Sequence, residues 1–479
     1  MVSRLAISVL ATALLSACAV GPDFVRPDVA TSAIFVRAPE ASAAPVSADA
    51  PFWEAFGDPV LSSLVTDALR ANHDLRIALA RRDQADALLR GARFDRLPTI
   101  TADAQGSEAR ASADQLPGIA REDRTSRSYE ASIAASWELD LFGRIRRSVE
   151  AGTATADASA ADLRAAQVAV TGDVASAYIE LRGLQERLRV ARANRDNQQR
   201  TLDLVQARLD AGSASDFDAT RARAQRDTTA ARIPALEAAE AVTMHRIAVL
   251  TGRTPDALIA TLSKPAPLPA LPTRIQPGTP ADVLRQRPDV AAAEARLHAA
   301  TARIGIATAD LFPRITLGGL LGSQAGAAGA LFERDSETRL VALGIDWSFL
   351  DVDRVRARIA ESGAAGDAAL AQYQQSVLRA LQDTEDALVR LDRVGKEDAY
   401  LQRAAMDSTR AADLARLRYQ AGATGLFEML DVERGQLQAE DAFADVRARS
   451  ALNAIALYKA LGGGWPQSLP VRESVADRR

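Results

Sequence analysis

The sequence predicts a mainly α-helical tandem-repeat protomer, with very long coiled-coil helices and four strands that contribute to a small membrane β-barrel. Three observations carry this expectation. Four landmarks recur in the same order in the two halves of the 479-residue chain. Helical periodicity runs for about 67 residues in each half, which as one helix spans roughly 100 Å and exceeds any ordinary globular helix. Between the helical stretches, the period changes to two in four short segments.

The landmarks are specific. Asp74-Leu75 leading to Leu97-Pro98 recurs as Asp289-Val290 leading to Phe312-Pro313. Trp137 to Arg144 matches Trp347 to Arg354. Arg208-Leu209-Asp210-Ala211-Gly212 matches Arg418-Tyr419-Gln420-Ala421-Gly422, with Phe217 and Phe427 at the same distance beyond. Leu250-Thr251-Gly252 matches Leu461-Gly462-Gly463. A repeat of this size means two structural copies, not a solenoid of short units. The chain divides into residues 1–17, a signal peptide; 18–57, a wrapping segment; 58–263, the first repeat; 264–278, a Pro-rich linker; 279–464, the second repeat; and 465–479, a tail.

Each repeat opens with a helix, expected over Asp58–Arg96 and Thr279–Leu311. Pro280 suits a first turn, and Pro98 and Pro313 stop the two helices. Strands follow at about 99–140 and 314–350. In the first repeat Tyr129, Ala131, Ile133, Ala135, Trp137 and Leu139 alternate with Ser128, Glu130, Ser132, Ser136, Glu138 and Asp140. In the second, Val341, Leu343, Ile345, Trp347 and Phe349 alternate with Ala342, Gly344, Asp346 and Ser348. Such alternation puts one face on lipid or core and the other on water. Two isolated hairpins cannot protect their edges, so closure through several subunits is expected. On this register Ile133, Trp137, Leu343, Ile345 and Trp347 face lipid and Asp346 faces the lumen.

From Arg144 the helical period returns through Val174, Ala177, Leu181, Leu184 and Leu188, and in the second half through Leu370, Tyr373, Val377 and Ala380. Polar residues such as Arg195 and Gln198 interrupt the seam, so it is no plain dimeric zipper. Gly212 and Gly422 end the long helices as C-cap glycines. The return helix after Phe217 runs to about Leu250.

Composition removes other classes. Aromatic residues make up 5% of the chain and the net charge is −4, so no basic surface advertises nucleic acid. Beyond the signal no apolar run is long enough for a transmembrane helix. His73, His245 and His298 lie in separate helices without metal-ligand spacing, and no catalytic constellation or cofactor site emerges.

The first residues add an address. Leu15-Ser16-Ala17-Cys18 follows a short apolar run and resembles the lipobox of bacterial lipoproteins. The resemblance implies that Cys18 becomes the lipidated first residue; a plain signal peptide with a chance Cys is the alternative. Cys18 is the only cysteine, so once acylated it leaves no thiol for a disulfide.

With Cys18-Ala19-Val20-Gly21-Pro22-Asp23-Phe24, the run Pro280 to Glu294, and its continuation through Ala302-Arg303-Ile304-Gly305 to Phe312-Pro313, the mature chain resembles the lipoprotein branch of the TolC-like outer-membrane factors. These are the exit ducts of RND-type tripartite efflux pumps. The resemblance implies a homotrimer that closes a twelve-stranded barrel in outer-membrane lipid, above a helical tunnel that crosses the periplasm. It implies two further partners, a periplasmic adaptor and an inner-membrane RND-type transporter, with no cofactor beyond the lipid on Cys18. The tips, Gly212 with Phe217 and Gly422 with Phe427, are expected to dock the adaptor. Glu428 and Asp431 are three apart on one helical face, where the family places acids at a periplasmic gate. They also suit a helix N-terminus, whose dipole they would offset. In the first repeat Asp218 and Arg221 hold these places; Arg221 breaks the acidic pattern and is expected to pair across the tip. A lipid-anchored periplasmic helical scaffold without a pore is the alternative function.

Overall fold

A computed structural model describes residues 19–37, 51–272 and 275–462. The signal peptide, Cys18 and the tail from 465 onward lie outside the described residues. In chain order the elements are α1 (Pro59–Ala71), α2 (His73–Phe94), β1 (Thr99–Arg110), β2 (Thr125–Leu139), α3 (Arg144–Asp210), α4 (Asp216–Ala230), α5 (Arg232–Leu250), α6 (Ile259–Leu262), α7 (Pro280–Gln286), α8 (Pro288–Ala309), β3 (Arg314–Ala325), β4 (Glu337–Asp346), α9 (Val352–Gln420) and α10 (Leu426–Leu461). The long helices α3 and α9 have 67 and 69 residues. The chain forms two compact units, each drawing on both repeats: residues up to Asp28 with Arg82–Ser159 and Ala292–Gln374, and Val29–Arg81 with Ala160–Ala291 and Gln375 onward.

The first unit holds the sheet. Its strands run antiparallel in the order β1-β2-β3-β4. Directly opposed residues share a face, so the register sorts the two surfaces. Trp137 lies opposite Leu317, and Leu317 opposite Leu343. Ile133 lies opposite both Ala102 and Leu321, and Ile315 opposite Ile345. One face is therefore apolar over most of its length, giving way to Glu108, Arg127, Glu337 and Arg339 at the end far from Trp137, and it is open: Leu321, Val341 and Ile345 are 67%, 83% and 67% exposed. Thr101, Asp103, Glu130, Ser132, Ser136, Thr316, Thr338 and Asp346 occupy the other face, with Leu320 and Leu340 as exceptions. The expected register holds for Ile133, Trp137, Leu343, Ile345 and Asp346.

Trp347 departs from the expectation. The β4 ladder ends at the Arg314–Asp346 pair. The next pair would join Trp347 to Pro313, which has no N–H to donate. Trp347 therefore leaves the strand, and Phe349 with it. Its indole Nε1 donates to Leu311 O at 3.0 Å, while Trp137 Nε1 donates to Arg96 O at 3.0 Å. In both repeats a Trp caps the carbonyl two residues before the helix-stopping proline.

The second unit is packed around Tyr178, Ile179, Leu181, Ile247 and Ile455, with Phe52, Trp53 and Phe56 against them. Here the opening helices differ from the continuous ones expected. The first breaks at Asn72, whose extended backbone ends α1. Its Oδ1 accepts from Asp74 N and Leu75 N at 2.8 and 3.1 Å and so caps α2. Its Nδ2 donates to Leu250 O at 2.9 Å. The second breaks at the equivalent Arg287, which Pro288 forces out of the helical region (ψ 120°). Its guanidinium donates to Ala460 O at 3.1 Å and binds Asp289 and Asp383 at 2.7 and 3.0 Å. Burial alone would lower the Arg287 pKa, but these carboxylates hold it above its ordinary value. Gly252 (φ 72°) and Gly462 (φ 64°) complete the joints. A Cβ would sit 2.4 Å from Ala71 O at the first and 2.8 Å from the Arg287 side chain at the second. The return helix of the first repeat also breaks, at Ala231 between α4 and α5.

Two outcomes test these readings. Ile345→Arg should lose about 2–4 kcal/mol of membrane stability and most of the assembled protein. Asp346→Arg should assemble nearly as the parent, and equal losses in a heat-resistance gel would break the register. Asn72→Ala removes a cap and orphans Leu250 O, so thermal unfolding should report a loss of about 1–3 kcal/mol.

Candidate functional site

The two tips are built alike at the backbone. Ser213 N donates to Arg208 O at 2.8 Å and Gly212 N to Leu209 O at 2.9 Å. Ala423 N donates to Arg418 O at 2.8 Å and Gly422 N to Tyr419 O at 3.0 Å. These paired bonds form the Schellman arrangement, which needs a left-handed residue. Gly212 and Gly422 supply it, at φ 74° and 73°.

Beyond the glycines the repeats diverge. Ser215 and Asp218 form a capping box on α4. In the second repeat Gly425 occupies the N-cap without a side-chain bond; instead the Thr424 hydroxyl bonds Glu428 one turn on. Beneath the tips Leu202, Val205, Ala219, Ala222, Leu426, Met429 and Leu430 pack into one cluster with Tyr419. Arg208 stacks 4.4 Å from the Tyr419 ring and donates to Tyr419 O at 3.1 Å. Gln225 Nε2 donates to Leu430 O at 2.9 Å. The first repeat thus closes the end of the second repeat's long helix.

The residues picked out by sequence separate into two groups. Phe217 and Phe427, exposed at 67% and 64%, both lie near Arg221. The Arg221 guanidinium lies 4.6 Å from the Phe427 ring centre and 5.6 Å from that of Phe217. Arg221 does reach across the tip, but to an aromatic ring. Glu428 and Asp431 share the exposed face of α10 and are not bare: Glu428 accepts from Thr424, and Asp431 is ion-paired with Arg434. Arg434 was missed by sequence reasoning, although its spacing from Asp431 is that of helical neighbours. Glu433, also unread, is 1% exposed. Its Oε1 accepts from Thr201 Oγ1 at 3.1 Å and Arg416 Nε at 3.0 Å, in a buried polar layer between α3, α9 and α10.

A second site lies where the sheet meets α3. Val20 N donates to Phe142 O at 3.2 Å, and a Cβ on Gly143 would sit 2.6 Å from Ala19 Cα. Arg147 donates to Val20 O at 3.2 Å, Gly21 O at 3.3 Å and Asp23 at 2.7 Å, and also holds Glu150 at 2.8 Å. Gly305 leaves room for it, since a Cβ there would lie 2.9 Å from the Arg147 side chain. Phe24 stacks on His298 at 4.5 Å, and His298 Nε2 bonds Glu150 at 2.9 Å. Burial would raise the Glu150 pKa, but its bonds from Arg147 and His298 bring it below the ordinary glutamate value. His298 therefore serves packing in this strap; His73 begins α2 and His245 lies within α5.

Residues 64–253 and 279–463 match the family described as outer membrane efflux protein. The chain is 34% identical over 448 residues to the pyoverdine export outer membrane protein OpmQ of Pseudomonas putida, covering 91% of this chain and 93% of that protein. It is 33% identical over 474 residues to outer membrane protein OprJ of Pseudomonas aeruginosa, covering 96% of each. Among solved structures, that of the outer-membrane channel OprN superposes with a TM-score of 0.87 at 39% identity, covering 94% of this chain and 100% of that one.

The strap generates a prediction of its own. A carboxylate with a depressed folded pKa contributes stability above its unfolded value, near 4.3, and loses it as pH falls through the lower folded value. Hydrogen-exchange protection at the Val20 amide should therefore fall in acid below about pH 4. Arg147→Leu should lower it about tenfold or more at pH 7, since two carbonyls and two carboxylates lose their donor.

Proposed function

The chain belongs to the outer membrane efflux protein family and is an outer-membrane efflux channel protein; we propose that three copies close into a passive duct. The single observation that carries this reading is the sheet. Its outer strands β1 and β4, of 12 and 10 residues, have unpaired outer edges, and one face is apolar and open from Ile345 and Trp137 up to Ile133 and Leu321. A lipid-facing sheet must close so that no backbone group is left unpaired in hydrocarbon. Three four-stranded sheets joined edge to edge give twelve strands with no edge. The polar face, with Asp103, Glu130 and Asp346, then lines the lumen. A poreless scaffold would have no use for such a sheet.

The remaining parts follow from the same reading. Cys18 carries acyl chains and is the only cofactor-like group. What supports this is the strap: Ala19 is pinned beside Gly143, close to the end of β2. Trp137 and Trp347 stand at that same end of the sheet, as aromatic residues do at a bilayer boundary. The Gly212–Phe217 and Gly422–Phe427 tips dock a periplasmic adaptor, which joins the duct to an inner-membrane RND-type transporter. Glu428 and Asp431 form a ring of carboxylates at the periplasmic mouth, partly neutralised by Arg434.

Three measurements test the reading. Heat-resistant trimers of the purified protein should conduct ions in planar bilayers; a non-conducting trimer would remove the duct. Mass spectrometry of the mature N-terminus should find diacylglycerol on Cys18, and an unmodified residue elsewhere would end the lipidation idea. Divalent cations added from the periplasmic side should lower single-channel conductance. Asp431→Ala should weaken that block and the double change with Glu428→Ala nearly abolish it. Arg434→Ala should strengthen it several-fold, because it bares the Asp431 carboxylate.

A further inference from the structure

Phe217 and Phe427 belong to different repeats, and each sits in the first turn of its own helix. No backbone bond joins those two turns. The Arg221 guanidinium lies near both rings, at 5.6 and 4.6 Å from the ring centres. It reaches Phe217 as a helical neighbour four residues on and Phe427 across the tip. We propose that Arg221 is a positioning residue, which holds the exposed phenylalanines of both tips together as one docking element for the periplasmic adaptor. The proposal rests on the reading that the tips dock that partner.

The chemistry selects this residue type. A ring face carries negative charge, so it attracts a cation and repels a carboxylate. Asp431, at the matching place in the second repeat, cannot make the reciprocal clasp, and it turns to Arg434 instead. A guanidinium is planar and weakly hydrated and can meet two rings at once, whereas an ammonium is a compact, strongly hydrated point charge. The body of the tip is tied independently, through Arg208 on Tyr419 and Gln225 on Leu430 O. Loss of Arg221 should therefore loosen the aromatic pair without unfolding the tip.

The test uses the full chain with Cys18→Ser and a non-lipid signal, so that introduced thiols are the only ones. Spin labels at Ser213 and Ala423, in trimers diluted with unlabelled subunits, read the distance between the tips. Arg221→Leu should broaden that distance distribution about twofold, Arg221→Lys less so, and both trimers should stay heat-resistant. In native cells a photo-crosslinking side chain at Thr424 reads docking. The adduct, identified as an adaptor by mass spectrometry, should fall about tenfold with Arg221→Leu, the loss expected from two exposed cation–π contacts. An unchanged distance distribution overturns the clasp and leaves tip docking intact. A broadened distribution with an unchanged adduct overturns the positioning role. An absent adduct with Arg221 in place overturns the docking reading itself.

Discussion

An unpaired backbone group cannot stay in hydrocarbon, and this constraint governs the sheet and much that borders it. β1 to β4 satisfy each other only inside the sheet, and the outer sides of β1 and β4 remain open in the single chain. The charged residues along them stand at the strand ends or on the polar face, as Glu108, Arg110, Glu337, Arg339, Asp103 and Asp346 do, and do not break up the apolar stretch between. Ile100, Ala102 and Ala104 stand on β1, and Val341, Leu343 and Ile345 on β4, all on the apolar face. The same constraint explains the two tryptophans. A proline ends each opening helix next to the sheet, and the carbonyls just before it lose their helical partners. Trp137 and Trp347 donate to Arg96 O and Leu311 O.

Duplication supplies a second economy. Each repeat breaks its opening helix at one place, Asn72 or Arg287, and in each the breaking side chain donates to a carbonyl at the end of the return helix. A left-handed glycine follows that carbonyl and leaves no Cβ in the joint. The chemistry differs while the geometry is kept. Asn72 caps with an amide, and Arg287 uses a charge that two carboxylates must neutralise. A buried cation with two partners is costly to strip of either one, so the second joint tolerates less change at Asp289 and Asp383 than the first does around Asn72.

Much of this was legible in the chain, and the reasons are physical. Lipid and water on opposite faces impose a period of two, so the strands and their register could be read directly. A long packed helix repeats its apolar positions for many turns, so α3 and α9 could be read as well. The breaks were less visible. Asn72 looks like one more polar position on a helix surface, and its partner Leu250 lies far along the chain. Pro288 stood in plain view, and its effect on Arg287 was the signal that went unused. Trp347 kept the alternation going past the last ladder pair, because the side-chain pattern does not record that Pro313 has no donor. At the tip, Asp431 and Arg434 were readable as helical neighbours, whereas the path of Arg221 to Phe427 depends on how two repeats meet.

That meeting is where the repeats stop being copies. Backbone geometry at Gly212 and Gly422 is the same to within a degree of φ, 74° against 73°. Two helix starts follow, and they carry opposite charges at the matching position, Arg221 and Asp431. If the positions were identical, the two neighbouring helix starts would carry like groups, both acidic or both basic. With one of each, the chain has a cation engaged on aromatic faces and a carboxylate paired with Arg434. Repulsion between like charges falls as their spacing rises and as partners neutralise them. Divergence of the two repeats at this one position thus removes a like-charge repulsion between the two helix starts. Glu428, one turn before Asp431, bonds the Thr424 hydroxyl and so does not compete with Asp431 for Arg434.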